Sequence, residues 1–227
     1  MSAPGGSHTP GATTGLPGLD AVLHGIQPGD NIVWGVDRIE DYVRLVRPYE
    51  EAARRSGRRV VYFRFARHEP LFGEGSPVEI HPVDPSPGFE HFVREVHRVI
   101  EDCGPGTVYI FDSLSSLADA WFSDQALGNF FILTCPRLFD LHTITYFAIE
   151  RDRHSIHAVE PIRKTTQFFL EVFTQDGHFY VRPIKVQYRS EEVMDTLHVE
   201  QAGGEFLPVE ESATLARILS TTRWPRL

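Results

Sequence analysis

Eight consecutive residues, 35–42, have the spacing of a phosphate-binding loop but lack its ligands. In the loop pattern G-x-x-x-x-G-K-[ST], backbone N–H groups cradle the phosphates, the Lys neutralises them and the hydroxyl binds Mg²⁺. Here Gly35 is kept, but Glu40 replaces the second Gly, Asp41 the Lys and Tyr42 the Ser or Thr. Two unit charges about 4 Å apart interact by roughly 4 kcal/mol at an effective dielectric constant near 20. Because Asp41 reverses the sign of that interaction, we expect Mg·ATP binding to be lost.

The same stretch places three carboxylates at the start of a predicted helix. Asp37 is the predicted N-cap, and Glu40 three residues later completes a form of the capping box. A helix N-terminus has free N–H groups and a partial positive charge that favour anions. One hypothesis is that Asp37, Glu40 and Asp41 fill the anion site with the protein's own side chains. The alternative is ordinary helix capping, worth about 1 kcal/mol.

A further carboxylate ends a predicted buried strand at residues 107–114. Asp112 and Ser113 lie where the carboxyl edge of a parallel sheet forms its ligand crevice. Asp112 could hold Mg²⁺ through water, but position 42 offers no hydroxyl to share the ion. We therefore favour a role for Asp112 as a cap of the Ser-Leu-Ser-Ser turn that follows it.

Two basic clusters are candidate anion sites or interfaces. The first is Arg64, Arg67 and His68, and the second is Arg151 and Arg153 with His154 and His157. The alternative for the first cluster is a solvated loop. An H-x-x-H pair in a loop without a third ligand is weak evidence for a metal, so we predict no metal site. None of the eleven histidines pairs with Ser or Cys in a recognisable nucleophile motif.

The elements that must position these residues follow an α/β pattern. Short β-branched runs alternate with amphipathic stretches, which is typical of a mainly parallel sheet flanked by helices. The predicted strands are 32–34, 59–65, 78–80, 107–114 and 143–149, with an antiparallel hairpin of 167–173 and 178–186 across a turn at 175–177. The predicted helices are one that begins after residue 37 and is bent or interrupted at Pro48, then 89–100, 125–138 and 210–219.

Composition limits the function classes. The chain has 227 residues, 22 Lys plus Arg and 31 Asp plus Glu, so its net charge of −9 disfavours nucleic acid or an anionic membrane as the main partner. Two cysteines, Cys103 and Cys135, fit a reducing cytosol. The sequence shows neither a signal peptide nor a run of about 18 apolar residues. We predict a cytoplasmic protein with a disordered tail at 1–13 and a single domain at 14–227.

Residues 14–30, TGLPGLDAVLHGIQPGD, carry a family resemblance. With the apolar run 32–34 they resemble the T-G-[IL]-x-x-L-D-x-x-L-x-G-G-[IL]-x-x-G segment that leads into the phosphate-binding strand of KaiC and RecA-like ATPases. One residue of the G-G pair is missing. The matching positions are Thr14, Gly15, Leu16, Leu19, Asp20, Leu23, Gly25, Ile26 and Gly29. The resemblance extends with gaps over most of residues 14–209 and implies a RecA-like P-loop NTPase fold with a C-terminal antiparallel hairpin.

The resemblance implies that most of the family's catalytic residues have been lost. The family's catalytic Glu pair corresponds to Ala66 and Arg67, with Glu69 nearby in what we interpret as an exposed loop. The family's V-K-M-R-G segment, which reaches a neighbour's nucleotide, corresponds to residues 186–190, with Gln187 in place of Lys and the Arg retained as Arg189.

The resemblance therefore implies a pseudo-ATPase without ATP or Mg²⁺, acting in regulation or assembly through self-association or another protein. Arg189 and the hairpin before it are the predicted contact surface. An alternative is an atypical protein that binds a nucleotide or phosphometabolite, linked to phosphoenolpyruvate-synthase-like enzymes. A recombinase-like DNA binder is disfavoured by the acidic balance.

Overall fold

The computed structural model describes residues 12–73, 75–189 and 191–220. The predicted tail at 1–13 and the end of the predicted domain lie partly outside these ranges. Seven α-helices occur among the described residues: α1 Pro17–Leu23, α2 Ile39–Arg55, α3 Phe89–Cys103, α4 Ser115–Trp121, α5 Asp124–Asp140, α6 Ile156–Thr165 and α7 Ser212–Ser220. The strands are β1 Asn31–Val36, β2 Val60–Arg64, β3 Glu79–Pro82, β4 Val108–Ser113, β5 Ile144–Glu150, β6 Phe168–Gln175, β7 His178–Val186, β8 His198–Glu200 and β9 Phe206–Pro208.

These strands form one mixed sheet in the order β3-β2-β4-β5-β1-β6-β7-β8-β9. The pairs from β3 to β6 are parallel and those from β6 to β9 are antiparallel. The predicted α/β class, with a mainly parallel sheet, flanking helices and an antiparallel hairpin near the C-terminal end, is confirmed.

The sheet is covered on both faces, which explains why β1, β4 and β5 are near-continuous apolar runs. On one face, α1 and α2 pack over β1 and β5, where Tyr49 stacks on Tyr146 with ring centroids 3.8 Å apart. The Tyr49 hydroxyl also donates to the Ile144 carbonyl at 2.9 Å. On the other face, α3 to α6 pack against a second core rich in Phe.

Two local details of α2 differ from the prediction. Of the two effects expected of Pro48, a bend or an interruption, the interruption does not occur: α2 continues to Arg55, and its buried residues, which include Leu45 and Tyr49, pack against the sheet. Its N-cap is Arg38 rather than Asp37, and no side chain caps it. Two further helices, α4 and α6, replace what the sequence indicated as a turn and a loop.

The topology creates a crevice at the carboxyl ends of the neighbouring strands β1 and β5. The connection from β1 leaves through α2 toward β2, whereas the connection from β5 leaves through α6 toward β6. The two helices pack on opposite faces of the sheet. Ligands in open α/β sheets bind where two neighbouring strands connect to helices on opposite faces. The residues at the carboxyl ends of β1 and β5 therefore form the candidate site.

Candidate functional site

The connection from β1 to α2 is too short to be a phosphate-binding loop. β1 ends at Val36 and α2 begins at Ile39, so only Asp37 and Arg38 lie between them. None of residues 35–42, all of which the structure describes, has a positive φ. The strand therefore passes directly into the helix, and the loop whose N–H groups would surround a phosphate does not form.

The three residues that replace the loop's ligands have different surroundings. Glu40 is exposed, whereas Tyr42 is buried in the core between α2 and the sheet. Asp41 is buried and accepts a hydrogen bond from the Thr174 hydroxyl at 2.5 Å. Asp41 and Tyr42 thus anchor α2 to the sheet.

The crevice beyond β1 and β5 is filled by Arg151. Its Nε and Nη2 donate to Asp37 Oδ1 at 2.9 and 2.5 Å, and its guanidinium carbon lies 4.0 Å from the Phe173 ring centroid. The Arg151 side chain is only 4% exposed. A Cβ on Gly35 would lie 3.2 Å from Arg151 Cγ, so a residue with no side chain suits position 35 because Arg151 passes over it.

What remains of the crevice is a cavity of about 20 Å³, bordered by Gly35, Arg151, His154 and Glu171. That volume holds about one water molecule. Sites for drug-sized ligands usually measure about 300–1,000 Å³. The protein does fill its own crevice, but not with the three carboxylates of the hypothesis. The occupant is a cation paired with Asp37, and the three carboxylates do not converge on the helix N-terminus.

Asp112 has a structural set of partners. It is fully buried and accepts hydrogen bonds from Arg64 Nη1 at 2.8 Å, from the N–H groups of Phe65 and Ala66 at 2.8 and 2.9 Å, and from the Tyr62 hydroxyl. Burial and then the charge of Asp112 raise the pKa of Tyr62, which keeps that hydroxyl a donor.

The prediction that Asp112 caps the turn after its own strand is therefore wrong. It orders the loop after β2 instead, because four donors from that strand and loop point at it. Its neighbour Ser113 is also buried, and the Ser113 carbonyl accepts from the Ser116 hydroxyl at 2.7 Å.

The first basic cluster is divided by the structure. Arg64 donates hydrogen bonds to the Asp112 carboxylate and to the carbonyls of Ala66 and His68. His68 Nε2 lies 3.5 Å from Asp112 Oδ1. Only Arg67 points to the surface, where it borders an open cleft of about 620 Å³, and Glu69 is exposed as predicted.

The second cluster contains an arrangement that the sequence did not indicate. His154 Nε2 lies 2.6 Å from the Ser115 hydroxyl, and Nδ1 lies 2.5 Å from Asp124 Oδ1. Burial alone would raise the pKa of Asp124, but hydrogen bonds from Ser155 and His154 hold it below its ordinary value. Ser115 and His154 are 39 positions apart in the sequence and meet only in the folded chain. No local motif could therefore have revealed their contact.

Ser115, His154 and Asp124 make the contacts of a nucleophile triad, but a substrate cannot reach the serine. Ser115 and the His154 side chain are buried, and the Ser115 oxygen also accepts the Glu150 N–H at 2.8 Å. The network therefore ties the loop after β5 to α4 and α5. His157 is exposed on α6, and Arg153 pairs with Asp119 and Glu150. Among the described residues, no three His, Cys, Asp or Glu side chains are grouped so that they could hold a metal ion.

Arg189 lies at the opposite edge of the sheet from the crevice. Its Nη2 donates to Asp30 Oδ2 at 2.6 Å at the amino end of β1, and its guanidinium carbon lies 4.7 Å from the Phe168 ring centroid. Burial raises the pKa of Asp30 even though Arg189 lowers it. The Arg189 side chain is 3% exposed, so it stabilises this chain internally and does not present the predicted contact surface.

Comparison with known proteins gives no further assignment. No family model matches the sequence, and no curated protein matches it. None of the helices in residues 12–73, 75–189 and 191–220 combines the length and the apolar character that crossing a membrane requires.

Proposed function

We propose that this protein is a non-catalytic RecA-like pseudo-ATPase that has a regulatory or assembly role and does not bind Mg·ATP in the standard crevice. The observation that carries the proposal is the Arg151–Asp37 ion pair, which lies over Gly35 where the phosphates of a nucleotide would enter. The resemblance of residues 14–30 to the KaiC and RecA-like group supports the ancestry.

Three chemical requirements of phosphoryl transfer are unmet at this crevice. Catalysis of that reaction depends almost entirely on positioning and on neutralising phosphate charge. The backbone cradle is replaced by a two-residue connection, the Lys by Asp41, and the carboxylate that could hold Mg²⁺ is enclosed by Arg64 and backbone N–H groups. What is left is an α/β scaffold whose surfaces are available for protein contacts.

Isothermal titration with Mg·ATP, Mg·GTP and ADP tests this function. We expect no saturable heat for any of the three up to millimolar concentrations, and no release of phosphate from ATP. The variant Arg151→Ala should behave in the same way, because removing the occupant restores neither the loop nor the Lys. Binding at low micromolar concentration by the wild-type protein would overturn the proposal.

The alternative function, binding of a nucleotide or phosphometabolite in an unusual way, predicts a different result in isothermal titration. An atypical protein that binds a nucleotide or a phosphometabolite would give saturable heat with a nucleotide or with phosphoenolpyruvate or pyrophosphate. In that case the Arg67→Ala variant, which removes the surface cation of the first basic cluster, should abolish the binding.

A further inference from the structure

Phe122 is the most exposed large apolar side chain among the described residues, and its backbone is strained. It links α4 to α5, is 97% exposed, and has φ 50° and ψ 33°. This left-handed conformation costs a residue with a side chain roughly 1–2 kcal/mol, and Gly usually occupies it at the end of a helix. Strained backbone conformations of this kind cluster at functional sites.

The strain is maintained by the structure around Phe122. Its N–H bonds back to the carbonyls of the last turn of α4, and the neighbouring Ser123 caps α5 through the Ala126 N–H at 3.2 Å. On the other side, the Trp121 indole packs against Phe89 and Phe92 and donates to the Pro85 carbonyl at 3.2 Å. Phe122 is thus held outward by two fixed helix ends.

A cleft lies directly beside this projecting ring. Its volume is about 620 Å³, and Phe122 forms part of its border together with Phe65, Arg67, Asp84, Pro85 and Ala120. A phenyl side chain buries about 150–250 Å² when it enters such a pocket. The ring is 97% exposed although it borders the cleft, so it is available to a neighbouring molecule.

We propose that two copies of this chain associate about a two-fold axis, with Phe122 of each inserted into the cleft of the other. A two-fold interface uses the same patch on both copies and must be self-complementary. A ring and a cleft that lie side by side meet this requirement, because one rotation places each ring against the opposite cleft. Aromatic anchors in pockets of this kind contribute most of the binding energy of protein interfaces.

The border of the cleft carries charges of both signs, Arg67, Asp84 and Asp119, and the last of these already pairs with Arg153. Arg67 forms no salt bridge within the ranges that the structure covers, and the Asp84 carboxylate accepts hydrogen bonds there only from Ser86, at 2.9 and 2.7 Å. Two-fold pairing brings Arg67 of one copy toward Asp84 of the other. The net charge of −9 disfavours a nucleic acid as the occupant, and the pairing of Arg67 with Asp84 is the local attraction that favours a second copy.

This dimer supplies the partner for the assembly role and rests on that proposed function, but the two can fail separately. Nucleotide titration tests the crevice at β1 and β5, whereas molecular mass tests Phe122. A dimer that binds Mg·ATP would refute only the first, and a monomer that does not bind it would refute only the second.

The experiment is sedimentation equilibrium over about 1–200 µM with the full chain. We expect a dimer for the wild type and at least a tenfold weaker dimer for Phe122→Gly. At concentrations low enough for both proteins to be monomeric, Phe122→Gly should unfold at the same or a higher temperature than the wild type, because Gly relieves the left-handed strain. This comparison separates loss of association from loss of fold.

Tyr188→Gly is the matched control, since Tyr188 is also aromatic, 75% exposed and at φ 64°. It should leave the dimer unchanged. Arg67→Asp and Asp84→Arg should each weaken the dimer, and the double variant should restore it. A wild-type monomer or higher oligomer, a dimer unaffected by Phe122→Gly, or equal weakening by Tyr188→Gly would each overturn the proposal.

Discussion

Arg151 and Arg153 lie two residues apart in one loop, yet the structure gives them opposite environments. Arg151 is enclosed between Asp37 and the Phe173 ring, whereas Arg153 is 31% exposed and bonds two surface carboxylates. A buried guanidinium on an aromatic face is worth about 2 kcal/mol. Exposed ion pairs contribute about 0–1 kcal/mol.

Arg151→Ala should therefore lower the free energy of unfolding by about 2 kcal/mol, and Arg153→Ala by less than about 1 kcal/mol. Urea denaturation followed by circular dichroism measures both. Equal losses for the two variants would mean that Arg151 does not fill the crevice in solution.

Asp112 offers a second test at the residue scale, because its two possible roles predict opposite signs. A carboxylate kept free for a metal is destabilising when buried alone, so Asp112→Asn would be neutral or stabilising. If the carboxylate instead receives four donors, Asp112→Asn weakens charge-assisted hydrogen bonds and leaves the partly buried Arg64 without a counter-charge, which costs about 3 kcal/mol.

We expect Asp112→Asn to destabilise the protein by that amount, as measured by the urea midpoint. Asp102→Asn, at an exposed position near the end of α3, is the control and should change stability by less than about 0.5 kcal/mol. A stabilised Asp112→Asn protein would contradict the assignment.

At the scale of elements, the central strands could be predicted and the connections could not. β1, β4 and β5 are buried on both faces, so their apolar runs identify them without knowledge of their neighbours. The sequence predicts a loop at His154 and His157, whereas the structure has α6 from Ile156 to Thr165, packed against α5.

The sequence predicts where the candidate site lies but not which side chains occupy it. Sequence spacing places residues 35–42 at the crevice and predicts the start of α2 to within one residue, but it cannot show that Arg151 occupies the crevice. The contact of Arg151 with Asp37 spans 114 residues, and the contact of His154 with Ser115 spans 39. Pairings of that kind depend on strand order, which no local pattern encodes.

The segment before β1 is an element whose glycine can be tested directly. Gly15 has φ 80°, and a Cβ there would lie 2.1 Å from the Pro48 carbonyl oxygen of α2. Gly57 has a similar φ of 76° but nothing within 4 Å of its ideal Cβ. The two positions share the backbone strain of a left-handed residue and differ only in the steric clash.

Gly57→Ala should thus cost about 1 kcal/mol, and Gly15→Ala at least about 3 kcal/mol, because α2 must move away from the segment. Differential scanning calorimetry on the two variants gives the comparison. A small effect at Gly15 would show that this segment is not packed on α2 as described.

At the scale of the whole molecule, stability should fall as the solution becomes mildly acidic. Burial lowers the pKa of His97, with Arg137 adding to the effect, and burial also lowers the pKa of His198 despite its hydrogen bond to the Thr196 carbonyl. A His with a lowered pKa in the folded state takes up its proton more readily when the chain unfolds. The stability that depends on the two neutral imidazoles is therefore present above the unfolded pKa of about 6.5 and is lost as the pH falls through the folded values.

Thermal unfolding between pH 7.5 and 5.5 should show this loss, with a slope of at most about 1.4 kcal/mol per pH unit for each His. The double variant His97→Gln, His198→Asn keeps a donor near Nε2 or Nδ1 but cannot titrate, so its midpoint should depend less on pH than that of the wild type. His157→Gln, at an exposed position of α6, should keep the wild-type slope. If the double variant and the wild type lose stability in parallel, the pH dependence arises from other groups and these two histidines are not held neutral by the fold.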